Sequence, residues 1–331
     1  MSSLALRVDR ISDETATIRR IVLVGADGQP LPGYAAGAHI TIDVPGIGVR
    51  KYSIVSVSAA AGATAAPRTY SLGIRLDAEG GGGSRYMHTL QPGDRVSATG
   101  PANDFPVKPN AAPALLVGGG IGITPLISMA AELKSAGRPF RLIYAVRNRA
   151  EAAFFDEIKA LAGDGLELHM DDSAGRVLDV EARLTALTQG EPVYMCGPKP
   201  MLKSGIAAGR KLGWAPGRLM FELFYSAAPA QPAAKPVAAP VDDGSFEVCL
   251  KSSGKIYKVP RDKSILDVLI ESGADPVHDC KKGECGVCQT GVISGTPDHR
   301  DSILSDSERA AGKVMQICIS RSKSPRLVLD I

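Results

Sequence analysis

Three cysteines sit in DCKKGECGVCQTGVISG (residues 279–295) as C-x4-C-x2-C, namely Cys280, Cys285 and Cys288, and 29 residues separate Cys288 from Cys318. This is the spacing of plant-type [2Fe–2S] centres. Two irons need two thiolates each, and a glycine-rich loop lets three cysteines wrap a cluster while backbone N–H groups point at sulfur. Gly283, Gly286 and Gly291 supply that freedom. The fourth thiolate comes from MQICIS, read as a separate strand. Structural zinc is the alternative, but zinc sites usually use two short cysteine pairs. Here there is one short pair with two outliers, which favours iron–sulfur. Cys249, alone in FEVCLK, reads as a small buried hydrophobe.

A second group of residues has the chemistry of anion binding. In LLVGGGIGITPLISM, Gly118, Gly119, Gly120 and Gly122 lie between an apolar strand and a helix. Backbone N–H groups there can approach a pyrophosphate at the helix start. YMCGPKPM places Cys196, Gly197 and Pro198 at another strand end, beside a nicotinamide on this reading. R-x-Y-S occurs twice, as RKYS (residues 50–53) and RTYS (residues 68–71). That pattern can hold a flavin against a strand.

The elements needed to position these groups fall into three regimes. Residues 1–106 carry short β-like runs such as ATIRRIVLVG, HITIDV, KYSIVSV and TYSLGIRL, broken by Gly, Pro and Asp as in an antiparallel barrel. Residues 107–225 alternate strand and helix, which predicts a parallel sheet with helices on its faces. Seven alanines and four prolines fill positions 227–240, so residues 226–244 read as a semi-rigid linker. Residues 245–331 form a small β-rich module with one clear helix, SILDVLIESG.

Composition narrows the function. The 331 residues are 44% hydrophobic and 22% charged, with a formal charge of +3 and no basic block of the kind that binds nucleic acid. No run approaches the roughly 18 apolar residues of a membrane span. The N-terminal MSSLALRVDRISDET lacks an apolar targeting core. A cytoplasmic protein is expected, where six cysteines are not a disulfide framework. A monomer is the default.

Together, RKYS, GGGS, GGGIGITP, CGPKPM, FELF and the cysteine set, in that order, resemble the ferredoxin–NADP reductase superfamily. Within it they are similar to the phthalate dioxygenase reductase group, which includes vanillate O-demethylase reductases. PDHRDSILSDSE and SRSKSPRLVLDI also look like this group's ferredoxin domain. The resemblance implies an antiparallel β-barrel flavin domain, an α/β nucleotide domain and a C-terminal β-grasp-like α+β [2Fe–2S] domain. It also assigns the flavin motif to RKYS, because RTYS begins the next strand, which runs directly into DAEGGGGS.

Carried over by position, Arg50 pairs with the flavin phosphate, and Tyr52 and Ser53 lie by the ribityl chain and ring. Lys51, which replaces a small polar residue, completes the flavin motif. Gly73, Ile74 and Arg75 flank the ring, Gly82, Gly83 and Ser84 hold the phosphate, and Thr124 reaches across from the nucleotide domain. Phe224 lies by the ring or packs in the core. Ser53, Cys196 and Phe224 position hydride transfer, with no acid–base triad. Gly119, Gly120, Ile121, Gly122, Thr124, Arg147, Cys196, Gly197, Pro198 and Met201 face the nucleotide. His88 packs or caps the loop helix. Little room exists beyond Gly80 for an adenosine-binding insertion, so FMN is expected rather than FAD. NADH is expected on family grounds, although Arg147 and Arg149 would suit a 2′-phosphate and leave NADPH possible.

The expected function is thus a reductase that passes electrons from NADH through FMN and a [2Fe–2S] cluster to a terminal Rieske-type oxygenase. Flavin suits this place because it mediates between a two-electron donor and a one-electron acceptor. Two alternatives stand: a redox sensor or scaffold that keeps the folds, or a reductase for a cytochrome or separate ferredoxin. Loss of a cysteine or of R-x-Y-S would favour the sensor, and both are intact.

Overall fold

The structure is a computed structural model. It describes residues 3–57, 66–78, 80–109, 112–188, 190–215, 217–224, 244–274, 276, 278, 281–283, 286–304 and 306–331. The chain forms two compact units, Met1–Phe224 and Tyr225–Ile331. Apart from Gly244, the segment read as a linker lies outside the described residues.

The first unit begins with a barrel. Its strands are β1 (Ser3–Asp13), β2 (Ile18–Gly25), β3 (His39–Val44), β4 (Gly48–Val55) and β5 (Thr69–Arg75); helix α1 (Gly83–Thr89) then precedes β6 (Arg95–Ala102). The barrel closes in the order β1-β2-β5-β4-β3-β6 with antiparallel neighbours. Period-2 patterning builds it: in β5, Tyr70, Leu72 and Ile74 are buried while the residues between them are less so. RKYS lies in β4 and RTYS leads into β5, which pairs with β4 at Ile54–Leu72 and Val55–Ser71.

The same unit continues with β7 (Ala114–Gly119), α2 (Ile123–Ser135), β8 (Phe140–Val146), α3 (Phe155–Ala162), β9 (Leu166–Met170) and α4 (Asp171–Ala174). After these come α5 (Val180–Thr185), β10 (Val193–Cys196), α6 (Lys199–Lys211) and β11 (Leu219–Glu222). The five strands are parallel in the order β11-β10-β7-β8-β9. Central β7 is buried at every residue, as helices on both faces require. Asp171 and Asp172 open α4 directly after β9, and α5 stops at Thr185.

Barrel and sheet share a core. Ile18, Ala36, Val55 and Phe105 of the barrel region cluster with Ile123, Ile127, Met129 and Phe154. Ser128 of α2 ties the two together, donating to the Ile54 carbonyl at 2.8 Å and accepting from the Ser56 N–H at 2.9 Å. The helix that follows the glycine turn is therefore fixed to the end of the RKYS strand.

The second unit contains β12 (Phe246–Leu250), β13 (Ile256–Val259), α7 (Ile265–Glu271), β14 (Gln289–Ser294), β15 (Pro297–Asp298), α8 (Asp306–Ala311), β16 (Val314–Gln316), β17 (Arg321–Ser322) and β18 (Arg326–Leu329). Its main sheet runs β13-β12-β18-β14-β16, with only the β12–β18 pair parallel. Helix α7 is capped by Ser264, whose hydroxyl accepts from Asp267 N–H at 3.0 Å, and it buries Ile265, Leu266 and Leu269. Two expectations are corrected here. Cys318 lies in the turn just after β16 rather than in a strand. Cys249 is half-buried in β12, not fully buried.

Candidate functional site

Strand β4 aims its residues alternately, and Arg50 is carried onto the glycine loop. Its guanidinium donates to the Val49 carbonyl at 2.8 Å and to the Gly81 carbonyl at 3.3 Å. A Cβ on Gly83 would stand 2.7 Å from Arg50 Cγ, so only glycine lets the arginine lie across the loop. Gly82 adopts φ 84°, a left-handed conformation that suits glycine. RKYS and the 80–84 loop thus meet across 31 positions of sequence. The Ser84 hydroxyl instead accepts from Asp77 N–H at 3.0 Å and braces the loop from within. Burial pushes the Tyr52 phenol up to about 12, with Arg50 opposing. His88 Nε2 lies 3.0 Å from the Ile74 carbonyl, tying α1 to β5.

The two nucleotide-side loops interlock through glycines at the carboxyl ends of adjacent strands, where Cys196 is paired with Gly118. A Cβ on Gly122 would meet the Cys196 carbonyl oxygen at 2.3 Å, and one on Gly119 would meet Pro198 Cδ at 2.6 Å and Met201 Sδ at 3.0 Å. Gly197 likewise faces the Met201 methyl. Gly120, at φ 53°, opens onto empty space, which gives a ligand room to reach the backbone. Ile121 accepts from the Thr124 hydroxyl at 3.0 Å. Arg147 lies at the end of β8, exposed, 4.0 Å from Glu151.

Barrel and sheet converge on a third group. Glu222, the last residue of β11, is paired with Cys196. Its carboxyl is pushed up to about 7, chiefly by burial and then by Asp104, with Lys51 and the Ser53 hydroxyl opposing. Glu222 Oε2 is buried with no hydrogen-bond partner among the described residues. Cys196 is fully buried, and burial together with the Glu222 charge pushes its thiol well up. His39 stands opposite Ser53, its imidazole held down by burial and by Lys51. Lys51 itself pairs with Asp104 at 3.0 Å on the surface. Phe224 is partly buried against the sheet core. Gly73 faces Thr124 and the Phe154 ring, where a Cβ would stand 2.7–2.8 Å from both. Phe154 is set by a left-handed backbone (φ 56°), an N–H donated to Glu14 at 3.1 Å, and Arg20 stacked at 4.6 Å. The open Gly120, the orphaned Glu222 oxygen and the Arg50 guanidinium over the glycine loop fit a flavin and a nicotinamide nucleotide.

In the second unit, Cys288 and Cys318 are buried neighbours. Contact with Cys288, and secondly the Gly283 N–H, draw the Cys318 thiol down to about 7 against its burial. Cys280 and Cys285 lie outside the described residues. Gly283 and Gly286 take left-handed φ of 71° and 61°. Gly291, by contrast, sits inside β14, where a Cβ would be 3.2 Å from Asp330 Cβ. A sulfur-rich pocket with an N–H aimed at one thiol fits a thiolate-bound cluster.

Some functional residues lie outside the sequence motifs. Glu222 stands among the apolar residues of FELF, and the signal it carries is that of an acid ending a strand of a parallel sheet. Asp301, in the PDHRDS run, is a buried carboxylate. It accepts from the N–H groups of Ile303 (3.2 Å) and Leu304 (2.9 Å), from the Ser320 hydroxyl (3.2 Å) and from Arg309 (3.3 Å). It braces the cysteine loop, since a Cβ on Gly283 would stand 3.1 Å from Asp301 Cα.

Two family descriptions match the chain: an oxidoreductase NAD-binding domain over residues 116–205 and a 2Fe-2S iron-sulfur cluster binding domain over residues 249–323. Phenoxybenzoate dioxygenase subunit beta of Ectopseudomonas oleovorans is 36% identical over 332 residues, covering 100% of this chain and 98% of the relative. Vanillate O-demethylase oxidoreductase of a Pseudomonas species (strain HR199) is 37% identical over 311 residues, 93% of each chain. The solved phthalate dioxygenase reductase, described as a modular structure for electron transfer from pyridine nucleotides to [2Fe-2S], is 32% identical with a TM-score of 0.63. That match covers 100% of this chain and 98% of the other. Among the described residues no helix is long and apolar enough to cross a membrane.

Proposed function

The chain belongs to the family of oxygenase-system reductases that includes phthalate dioxygenase reductase and vanillate O-demethylase oxidoreductase, and from that we propose that it passes electrons from NADH through FMN and one [2Fe–2S] cluster to a terminal Rieske-type oxygenase. That oxygenase is a dioxygenase or an O- or N-demethylating monooxygenase. Nicotinamide supplies two electrons together, the cluster takes one, and flavin mediates between them.

The observation that carries this reading is the convergence of Ser53, Glu222 and Cys196 where the barrel strand meets the ends of β10 and β11. Arg50, with the Gly82–Gly83–Ser84 loop, holds the FMN phosphate. Tyr52, Ser53, Gly73, Ile74, Arg75, Thr124 and Phe224 line the flavin, and Lys51 steadies that face through Asp104. Gly119, Gly120, Ile121 and Gly122, with Gly197, Pro198 and Met201, receive the nucleotide, and Arg147 lies toward its adenosine end. Glu222 holds a proton near neutrality beside Ser53 and the neutral Cys196 thiol, which keeps net charge out of a water-poor site. Cys280, Cys285, Cys288 and Cys318 hold the cluster. The chain then acts as a cytoplasmic, monomeric partner of its oxygenase, with no role on nucleic acid or membrane.

Cofactor analysis of the purified full-length protein tests the reading. Acid extraction should release FMN, about one per chain, with about two irons and two sulfides. FAD in place of FMN, or zinc in place of iron, would overturn it.

A further inference from the structure

Gln316 is fully buried, and its amide reaches two groups. Its Oε1 lies 3.5 Å from Cys288 Sγ, and its Nε2 lies 3.3 Å from Gln289 Oε1. Gln289 and Gln316 stand directly opposite each other in the β14–β16 pair, so the two amides are held face to face by sheet register. Cys288 immediately precedes β14, which brings the ligand sulfur into the same row.

A thiol can donate to Oε1, but a thiolate bound to iron has no proton to give. The oxygen lone pairs of Gln316 would then face an anion from a buried position. Rotating the terminal amide by half a turn removes the conflict at no cost in shape, because its O and N are nearly isosteric. Nε2 then donates to Cys288 Sγ, and Oε1 accepts from the Gln289 amide, turned in the same sense.

We infer that Gln316 is a positioning and potential-setting residue whose side-chain N–H donates to the Cys288 ligand sulfur, oriented by Gln289. This rests on the cluster proposed above. Hydrogen bonds to cluster sulfurs favour the reduced, more negative state and raise its reduction potential. Gln316 thus makes the cluster a better acceptor for electrons coming from the flavin side, through a group that never touches nucleotide or oxygenase substrate. A buried glutamine beside a cysteine is otherwise a costly choice for a core position, since an apolar residue would fill it without needing partners.

The test is the midpoint potential of the cluster in the full-length, cofactor-loaded protein, followed by EPR during a redox titration of wild type, Gln316→Leu and Gln289→Leu. Gln316→Leu should retain the cluster absorbance but make it harder to reduce. The expected shift is about tenfold in the reduced-to-oxidised ratio at fixed ambient potential, ~59 mV for one electron. Gln289→Leu alters a half-exposed side chain and leaves Gln316 in place, and it should move the potential the same way by a smaller amount. A change of less than about twofold in that ratio for a cluster-loaded Gln316→Leu would overturn the inference. Should Gln316→Leu fail to assemble a cluster, Gln289→Leu decides: a lowered potential supports the inference and an unmoved one rejects it. A wild-type protein without any cluster signal would reject the cofactor reading itself, a separate and distinguishable failure.

Discussion

Replacing Glu222 with glutamine removes an ionisable group that the fold holds protonated. Between the ordinary glutamate value of 4.5 and about 7, the folded chain keeps a proton on this carboxyl that the unfolded chain has already lost. Stability therefore falls as pH rises through that window, because the native state binds more protons than the unfolded state. Below 4.5 both states are protonated and the penalty is absent; above 7 it is fully present. At roughly 1.4 kcal/mol for each tenfold in proton affinity, the penalty is about 3 kcal/mol at most. Some residual exposure of the residue brings the expectation to ~2–3 kcal/mol.

The chain's one tryptophan, Trp214, follows α6 of the nucleotide fold and stacks on Arg218 at 4.0 Å, so its fluorescence reports this unit. Guanidinium unfolding monitored there at pH 5 and pH 8, for wild type and Glu222→Gln, cancels every other titrating group. The advantage of the variant should grow by ~2–3 kcal/mol from the lower to the higher pH. An equal difference at both pH values would refute the reasoning and place the Glu222 carboxyl in ordinary solvent.

Gly122→Ala puts a Cβ 2.3 Å from the Cys196 carbonyl oxygen and must prise the two nucleotide loops apart. It should cost ~1–3 kcal/mol of stability and raise the KM for NADH about tenfold; unchanged steady-state kinetics would contradict the interlock. Asp301→Ala leaves Arg309 and three other donors without their buried acceptor. Thermal bleaching of the cluster should reveal a loss of ~3–5 kcal/mol in the second unit, and an unaltered bleaching curve would count against the bracing role. Cys288→Ala should abolish the iron–sulfur absorbance and EPR signal while NADH still bleaches the flavin. Retention of the cluster would remove Cys288 from the ligand set.

Much of this arrangement was legible because its chemistry is written locally. The C-x4-C-x2-C run and the two glycine loops carry their spacing in a few consecutive residues, and period-2 runs such as TYSLGIRL announce a barrel strand. What stayed hidden depends on tertiary placement. Glu222 matters because parallel register sets it beside Cys196, and nothing in FELF indicates that its oxygen is buried. Arg50 reaches the glycine loop only because β4 and β5 are neighbours in the closed barrel, and the loop follows β5. The Ser84 hydroxyl turns inward to Asp77, a choice of rotamer that sequence does not record. Gln316 looked like any polar residue in MQICIS until the β14–β16 register put it against Cys288.

One chain carries electrons from a two-electron donor to a one-electron centre. Anaerobic titration of the fully loaded protein with NADH, followed by visible spectroscopy, tests it most directly. Flavin takes two electrons and the cluster one, so flavin and iron–sulfur absorbance should both be bleached at about one and a half equivalents. A loaded protein whose cluster spectrum NADH leaves unchanged while the flavin bleaches, or one that NADH does not reduce at all, would contradict the account.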